Sequence, residues 1–260
     1  MSYTMDDLRE IMVKLRAENG CPWDRVQTHQ SIKRSLIEEC YEAIEALDNN
    51  DDKMFANELG DVLLQVVFHS RIAEERGAFS LDDVICEICT KLITRHTHVF
   101  GEDNANNAAE ALGAWEKNKK AEKGLKSYTD ALVDVPKNFP ALIRAGKVQK
   151  KAKAAGFDWN TIDGAVSKVY EELEELKAAY NNKNEDEISE EFGDLLFAIV
   201  NVGRFLRVDP ELSLTDATNK FIKRFSKMEE LSKSRNQELD KLTQEEMDTI
   251  WNEVKKTEKQ

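Results

Sequence analysis

The chemistry this sequence can support is concentrated between Lys168 and Asp194, in KVYEELEELKAAYNNKNEDEISEEFGD. The stretch reads as two helices joined by a polar turn. The first carries Glu171, Glu172 and Glu175, and the second carries Glu191 and Asp194. Helix positions three or four apart share a face, so Lys168, Glu172 and Glu175 form one stripe, while Val169, Leu173 and Leu176 form another suited to a core. Glu191 and Asp194 are again three apart, and LLFAIV follows them, a run too apolar for solvent. A helix buried just past its acidic end draws those carboxylates inward, where unpaired charge is costly. Four such acids facing each other across two helices require a cation. Hard oxygen ligands suit Mg²⁺, with Mn²⁺ as a substitute.

The elements that position these acids follow from periodicity and punctuation. Thr4 is a candidate N-cap for a helix from Met5 to Glu18 that Gly20 closes, and CPWDRVQTHQ (21–30) reads as a loop. Helical spacing resumes from about Ser31 to Leu47 and from Lys53 to Glu75. Ser80 with Asp83 resembles a capping box for a helix reaching His98, and a shorter helix covers Ala108–Lys120. Gly124, Pro136 and Pro140 interrupt the pattern, so 122–140 is expected to be a linker between a domain at 1–121 and another at 141–260. The second half has expected helices over Ala141–Ala155, Ile162–Tyr180 and Glu187–Leu206. A further helix starts at Ser213 or Thr215 and runs to Arg235, and Thr243 with Glu246 caps the last.

The second half repeats the first. At one constant offset EECYE (38–42) lies on EELEE (171–175), ELGD (58–61) on EFGD (191–194), and Arg71 on Arg204. At a slightly different offset KLITR (91–95) meets KFIKR (220–224), and Trp115-x-x-x-Lys119 meets Trp251-x-x-x-Lys255. A lone E-x-x-E is ordinarily a solvated helix face. Acids and bases recurring in the same order argue against that reading here.

Composition sets the class. With 260 residues, 41% hydrophobic and 33% charged, the chain is long enough for one large domain or two ordinary ones. Only 11 Gly and 4 Pro favour long helices over β-structure. A net charge of −13 opposes broad binding to nucleic acid or anionic membranes, though a small basic pocket for one phosphorylated ligand remains compatible. No apolar run is long enough to span a membrane, and the N-terminus lacks the pattern of an export signal. Cys21, Cys40, Cys86 and Cys89 are therefore expected to be reduced thiols in the cytoplasm. Cys86-x-x-Cys89 has zinc spacing but no second pair, and reads as packing. His96 and His98 fall on different helix faces, which opposes a metal pair. There is no P-loop, no E-x-x-H of the di-iron type, and no arguable nucleophile–histidine pair.

E-E-x-x-E followed by E-x-x-D, present twice with K-x-x-x-R and W-x-x-x-K downstream, resembles the MazG family of nucleoside triphosphate pyrophosphohydrolases. The resemblance spans nearly the whole chain, including CPWDRVQTH and FGDLLFAIVN. It implies an all-α fold of two tandem helical domains forming four-helix-bundle-type modules, related to dimeric dUTPases. It also implies Mg²⁺-dependent cleavage of many (deoxy)nucleoside triphosphates to monophosphate and pyrophosphate. Carried onto the second copy, it implies Glu172, Glu175, Glu191 and Asp194 as metal ligands, with Glu171 either holding a metal-bound water or completing the outer shell. Lys168, Lys220 and Arg224 would meet phosphates, Trp251 the nucleoside, and Lys255 the phosphates or the ribose. The first copy has Glu39, Glu42, Glu58, Asp61, Lys91, Arg95, Trp115 and Lys119 as a second possible site. It departs with Ser35 in place of Lys168, Phe68 in place of Asn201 and His69 in place of Val202, so the second copy is expected to be the main site. A homodimer is expected, because helical modules with carboxylates on their inner faces complete a core by pairing. Alternatives are a narrow-specificity enzyme of dUTPase or phosphoribosyl-ATP pyrophosphohydrolase type, or a nucleotide-binding scaffold with weak turnover.

Overall fold

The computed structural model describes residues 2–258, and among them there is no β-strand. The chain divides into two compact units, Met1–Lys123 and Gly124–Gln260.

In the first unit α1 (Met5–Arg16) is followed by a short α2 (Pro22–Val26), then α3 (Lys33–Asp48), α4 (Asp52–Glu75), α5 (Leu81–Arg95), α6 (Thr97–Phe100) and α7 (Ala108–Glu122). Ser80 forms the reciprocal capping box with Asp83 that their spacing predicts, and Thr4, the expected N-cap, forms another with Asp7. The expected loop at 21–30 contains α2, because Pro22 at its first position has a pre-set φ and loses no helix hydrogen bond there. Gly20 is required by close approach: a Cβ there would lie 2.3 Å from the carbonyl oxygens of Lys14 and Leu15. The helix expected to reach His98 breaks at His96 (φ −103°, ψ 54°) into α5 and α6. Cys86 and Cys89 are exposed on α5, which corrects their reading as packing residues.

The core of this unit joins Met12, Ile32, Val67, Phe68, Ile72 and Leu81. Arg16 clamps the end of α1 to Glu75 of α4 (Nη2–Oε2 2.6 Å) and donates to the carbonyls of Asp24 and Gln27. The two positions where the first copy departs from the second are explained here. Phe68 enters the core, and His69 pairs with His29 at 2.8 Å between Nδ1 atoms, with rings stacked at 5.2 Å. Burial, and then the neighbouring His29, push the His69 pKa down. Through this contact His29 anchors the segment after α2 onto α4.

The second unit holds α8 (Tyr128–Val133), α9 (Ala141–Ala154), α10 (Ile162–Asn182), α11 (Glu185–Leu206), α12 (Pro210–Ser234) and α13 (Gln244–Thr257). The stretch expected to be a linker carries α8, with a Ser127–Asp130 capping box. It packs on α9, and Val135 beyond it is buried. Helix α12 begins at Pro210, ahead of Ser213 and Thr215, because the Asp209 carboxylate accepts from the Glu211 and Leu212 N–H groups. A second core lies between α12 and α13, around Met228, Ile250 and Val254.

Each unit is built on one antiparallel hairpin, α3–α4 or α10–α11. Their turns match atom for atom. Asn50 and Lys183 both take left-handed φ of 54°, and the next residue, Asp51 or Asn184, caps the following helix. In each turn the capping residue's N–H also returns to a buried alanine carbonyl, Asp51 to Ala46 (3.0 Å) and Asn184 to Ala179 (3.3 Å). Small residues at the helix contact, Ala43 and Ala46 on α3, Ala165 and Ala179 on α10, and Ala198 on α11, let the backbones approach closely. Outside the hairpins an apolar stripe stays exposed: Ile37, Tyr41, Ile44 and Leu47 on α3, and Phe192, Leu196 and Ile199 on α11.

A left-handed backbone costs a side-chain-bearing residue about 1 kcal/mol, which glycine avoids. Lys183→Gly is therefore expected to raise stability by about 1 kcal/mol, read as a higher urea midpoint at unchanged slope. A lower midpoint would show that the lysine side chain itself supports the turn.

Candidate metal and triphosphate site

The hairpin turn fixes the register of α10 against α11 and thereby brings the acids together. Carboxylate oxygens of Glu172, Glu175 and Glu191 lie within 4.8 Å of one another. Glu172 is only 4% exposed, Glu191 is half-buried and Glu175 is open to solvent. Lys168, one turn before Glu172, places its ammonium 2.6 Å from Glu172 Oε1 and 2.7 Å from Glu171 Oε1. Those two contacts raise its pKa above the ordinary lysine range, against the opposing effect of burial. Partial desolvation and then the charges of Glu175, Glu172 and Asp194 push Glu191 above the usual carboxylate range. Glu175 is raised by desolvation and Glu172, with Lys168 working the other way. Asp194 is exposed and lies outside the close trio, acting on it through its charge.

The first copy makes a trio of different membership: Glu39 of α3 with Glu58 and Asp61 of α4. Glu42 is exposed and stands outside it, while Glu58 is buried. Desolvation, then Asp61 and Glu42, raise the Glu39 pKa. No ammonium can stand here, since Ser35 occupies the equivalent of Lys168. Neutral amides take over instead: Asn57 Nδ2 donates to Glu58 (3.3 Å) and Asp61 (3.4 Å), and buried Gln65 Nε2 donates to Glu39 (3.5 Å). The sequence reading missed both amides. The i, i+4 spacing of Asn57 and Asp61 was the available signal, whereas Gln65 reaches Glu39 only across the hairpin. At the equivalent positions the second copy has Glu190, which adds charge beside Glu191, and Ala198.

The expected phosphate and nucleoside contacts form a separate group. Arg224 of α12 pairs with Glu258 at 2.7 Å, and Lys227 reaches the same carboxylate at 3.3 Å. Trp251 of α13 lies against Phe221, with ring centroids 5.1 Å apart. Lys220 is exposed one turn before Arg224, and Lys255 is half-buried one turn after Trp251. Among the described residues no hydrogen bond or ion pair joins this group to the acids of α10 and α11. The first copy is alike. Arg95 pairs with Glu122 at 2.8 Å and stands 5.5 Å over Trp115, and Lys119 lies over the same ring at 4.7 Å. Lys91 pairs with Glu87 at 3.3 Å. In the first copy the arginine of the base pair thus sits over the tryptophan, whereas in the second the tryptophan is packed on Phe221 and Arg224 is held by Glu258. Glu258, Lys227 and Phe221 were not singled out from the sequence; each becomes relevant only once α12 and α13 are packed.

The donor set fits a hard divalent cation. It is all carboxylate oxygen, it is crowded enough to raise its own pKa values, and no imidazole or thiol belongs to either trio. Three acids converging without a cation is the costly state; a divalent ion among them removes that cost.

Comparison with known proteins identifies the family of the chain. The family model described as the MazG nucleotide pyrophosphohydrolase domain matches the chain twice, over residues 27–100 and 161–231. Both acid sets and both K-x-x-x-R pairs fall within the matched stretches, and both tryptophans lie beyond them. The chain is 50% identical over 250 residues to a Thermotoga maritima protein named nucleoside triphosphate pyrophosphohydrolase/pyrophosphatase MazG, covering 96% of this chain and 95% of that one. It is 41% identical over 257 residues to the nucleoside triphosphate pyrophosphohydrolase of Escherichia coli, covering 98% of each. It is also 47% identical over 252 residues to the uncharacterized protein YabN of Bacillus subtilis, of which it spans 51%.

The raised carboxylates make a stability prediction. A carboxyl whose folded pKa exceeds its unfolded value favours the folded state while protonated. That advantage is lost as pH rises from the ordinary carboxylate range through the raised value. Without divalent cations, Glu191→Gln is therefore expected to melt at a higher temperature than the parent at pH 7. The gap should close below about pH 4, where the parent glutamate is itself protonated. Equal melting at pH 7 would mean that the trio is not under charge strain.

Proposed function

The chain belongs to the MazG nucleotide pyrophosphohydrolase family, and from that premise we propose that it hydrolyses (deoxy)nucleoside triphosphates to monophosphate and pyrophosphate with Mg²⁺ as cofactor. One observation carries the reading: on α10 and α11 the carboxylates of Glu172, Glu175 and Glu191 converge within 4.8 Å beside an ammonium held by Glu171 and Glu172. Acids of that number suit a metal, and a lysine beside them suits the phosphate charge that the metal leaves uncompensated.

In this mechanism Glu172, Glu175, Glu191 and Asp194 hold the cation. An Mg²⁺ ion held by these residues would lend positive charge to the phosphates and lower the pKa of a water. Glu171 is exposed beside the trio and orients the attacking water. The water oxygen bonds to the α-phosphorus, the bond from that phosphorus to the bridging oxygen breaks, and pyrophosphate departs. Lys168, Lys220 and Arg224 offset charge on the phosphates. Trp251, tilted against Phe221, offers a ring face that accepts any base. That agrees with broad specificity and with a role in cleansing or adjusting the nucleotide pool. The first copy, with Glu39, Glu42, Glu58, Asp61, Lys91, Arg95, Trp115 and Lys119, is a second and weaker site, because Ser35 offers no charge. The setting is the cytoplasm, where the substrates are.

The active form is a homodimer in this proposal. The exposed apolar stripes on α3 and α11 are long enough to pair helices, and among the described residues Arg224 is paired with Glu258 rather than with the acids of its own hairpin. A second chain can supply one to the other. Sedimentation is expected at twice the monomer mass, and Ile199→Glu, within the α11 stripe, is expected to shift it toward monomer with loss of turnover.

The activity is read as pyrophosphate release from a panel of nucleoside triphosphates, with Mg²⁺ and with EDTA. Turnover of several bases with Mg²⁺ and none with EDTA is expected. A single turned-over base would make this a dUTPase-like enzyme, and none at all a nucleotide-binding scaffold. Glu172→Ala and Asp194→Ala should each lower turnover by about a hundredfold or more while helicity persists. The pair Glu172→Ala/Glu175→Ala should abolish it, whereas Glu39→Ala/Glu42→Ala should leave most of it.

A further inference from the structure

The last helix of each unit closes on a glutamate that the repeat sets at a fixed spacing from its tryptophan. Trp115, Lys119 and Glu122 on α7, and Trp251, Lys255 and Glu258 on α13 and at its C-cap, share the pattern W-x-x-x-K-x-x-E. Residues four and seven apart lie on one helix face, so these three side chains share a face in each copy. In both copies that glutamate takes the arginine of K-x-x-x-R from the neighbouring helix. Glu258 Oε2 accepts from Arg224 Nε at 2.7 Å, and Glu122 Oε2 accepts from Arg95 Nε at 2.8 Å. The other carboxylate oxygen is held as well: Lys227 Nζ donates to Glu258 Oε1 at 3.3 Å, and Arg95 Nη2 donates to Glu122 Oε1 at 3.0 Å. The Arg224 and Glu258 side chains are only 21% and 20% exposed. We propose that Glu258 is a positioning residue: it braces the side edge of the Arg224 guanidinium so that the end edge is presented to the triphosphate, as Glu122 does for Arg95. This inference rests on the reading of Arg224 as a phosphate contact, in which Glu258 has no part.

The physical basis is the shape of the guanidinium. It carries five N–H donors in one plane. The side edge begins at Nε, and the two Nη groups offer a second, parallel pair of donors at the end, which matches two phosphate oxygens. Glu258 engages Nε alone, and among the described residues no hydrogen bond reaches either Nη of Arg224. The brace and a phosphate therefore do not compete for the same edge. An unbraced arginine on its long stem would have to be ordered when the ligand arrives, at a cost of about three- to tenfold in binding. Glu258 orders it beforehand. The negative charge of Glu258 acts in the opposite sense, by repelling phosphate. That charge is already met by two cations: the Arg224 hydrogen bond, with help from Lys227, holds the Glu258 pKa below the ordinary carboxylate range against partial desolvation. Bracing thus outweighs repulsion. Removing Glu258 separates the two effects, because they have opposite signs.

The test is kcat/KM with Mg²⁺ for the triphosphate of the panel that turns over best. The parent is the whole chain carrying Glu39→Ala/Glu42→Ala, so that the second copy is read alone. Arg224→Met should lower kcat/KM about a hundredfold. Glu258→Ala should lower it about three- to tenfold, through KM, and Glu258→Gln, which keeps one acceptor oxygen for Nε, should lose less. Combined with Arg224→Met, neither change at Glu258 should lower kcat/KM further, since no guanidinium is left to brace. A role in stability alone would lower the melting temperature without this dependence on Arg224. Equal losses with and without Arg224, or a gain on removing Glu258, overturn the brace and leave the phosphate contact standing. An unaffected Arg224→Met, or a parent without turnover, overturns the reading of the site and the brace with it.

Discussion

The repulsion among carboxylates at the contact of two antiparallel helices is the constraint on which this molecule depends. Glu172 and Glu58 are each buried, and each is set among other acids by a hairpin whose partner helix cannot slide. The hairpin holds against that repulsion because its turn is over-determined: a left-handed residue, a side-chain cap and a returning hydrogen bond occur in both copies at matching positions. Alanine at the helix contact brings the backbones close and commits the acids to the same small volume. Scaffold energy is thereby spent on holding charges together, and a cation is what that arrangement is suited to receive.

The rest of each unit supports the hairpin from outside. Arg16 ties α1 and the segment after it to α4, and the His29–His69 stack repeats that attachment one step further along. In the second unit Arg204, at the position equivalent to Arg71, pairs with Asp158 and Asn201, so the GFDWN segment is tied to α11 in the same manner. Arg71 and Arg204 belong to the repeat: Arg204 ties a loop to α11, and Arg71 holds Glu75, the partner of Arg16. The α12–α13 pair, with its own small core, presents the bases and the tryptophan as a second rigid piece. Most of the acids thus stand on α10 and α11, and Lys220, Arg224, Trp251 and Lys255 stand on α12 and α13.

Divergence of the copies is best understood as alternative neutralisation of one acid set. Lysine brings a full charge to the second copy, and asparagine and glutamine bring dipoles to the first. Glu190 beside Glu191 deepens the negative field of the second copy, while a neutral Asn57 stands at the equivalent position of the first.

Local and periodic features were legible in the chain itself. The helices, the N-cap at Thr4, the capping boxes at Ser80 and Thr243 and the spacing of the acids all follow from residues within a few positions of one another, which is the range over which helix geometry acts, and the internal repeat follows from comparing the two halves. Which three acids converge was not legible. Glu42 and Asp194 have the same spacing credentials as Glu39 and Glu191, and only the rotation of one helix against the other separates them. The packing of α8 on α9 and the exposure of Cys86 and Cys89 likewise depend on what lies against each segment. The sequence by itself determined the helical repeat and the chemical type of its ligands, because those are written in local spacing and side-chain class. Tertiary structure alone decided how each acid is neutralised, because the distances from Gln65 to Glu39 and among Glu172, Glu175 and Glu191 exist only when two helices are pressed together.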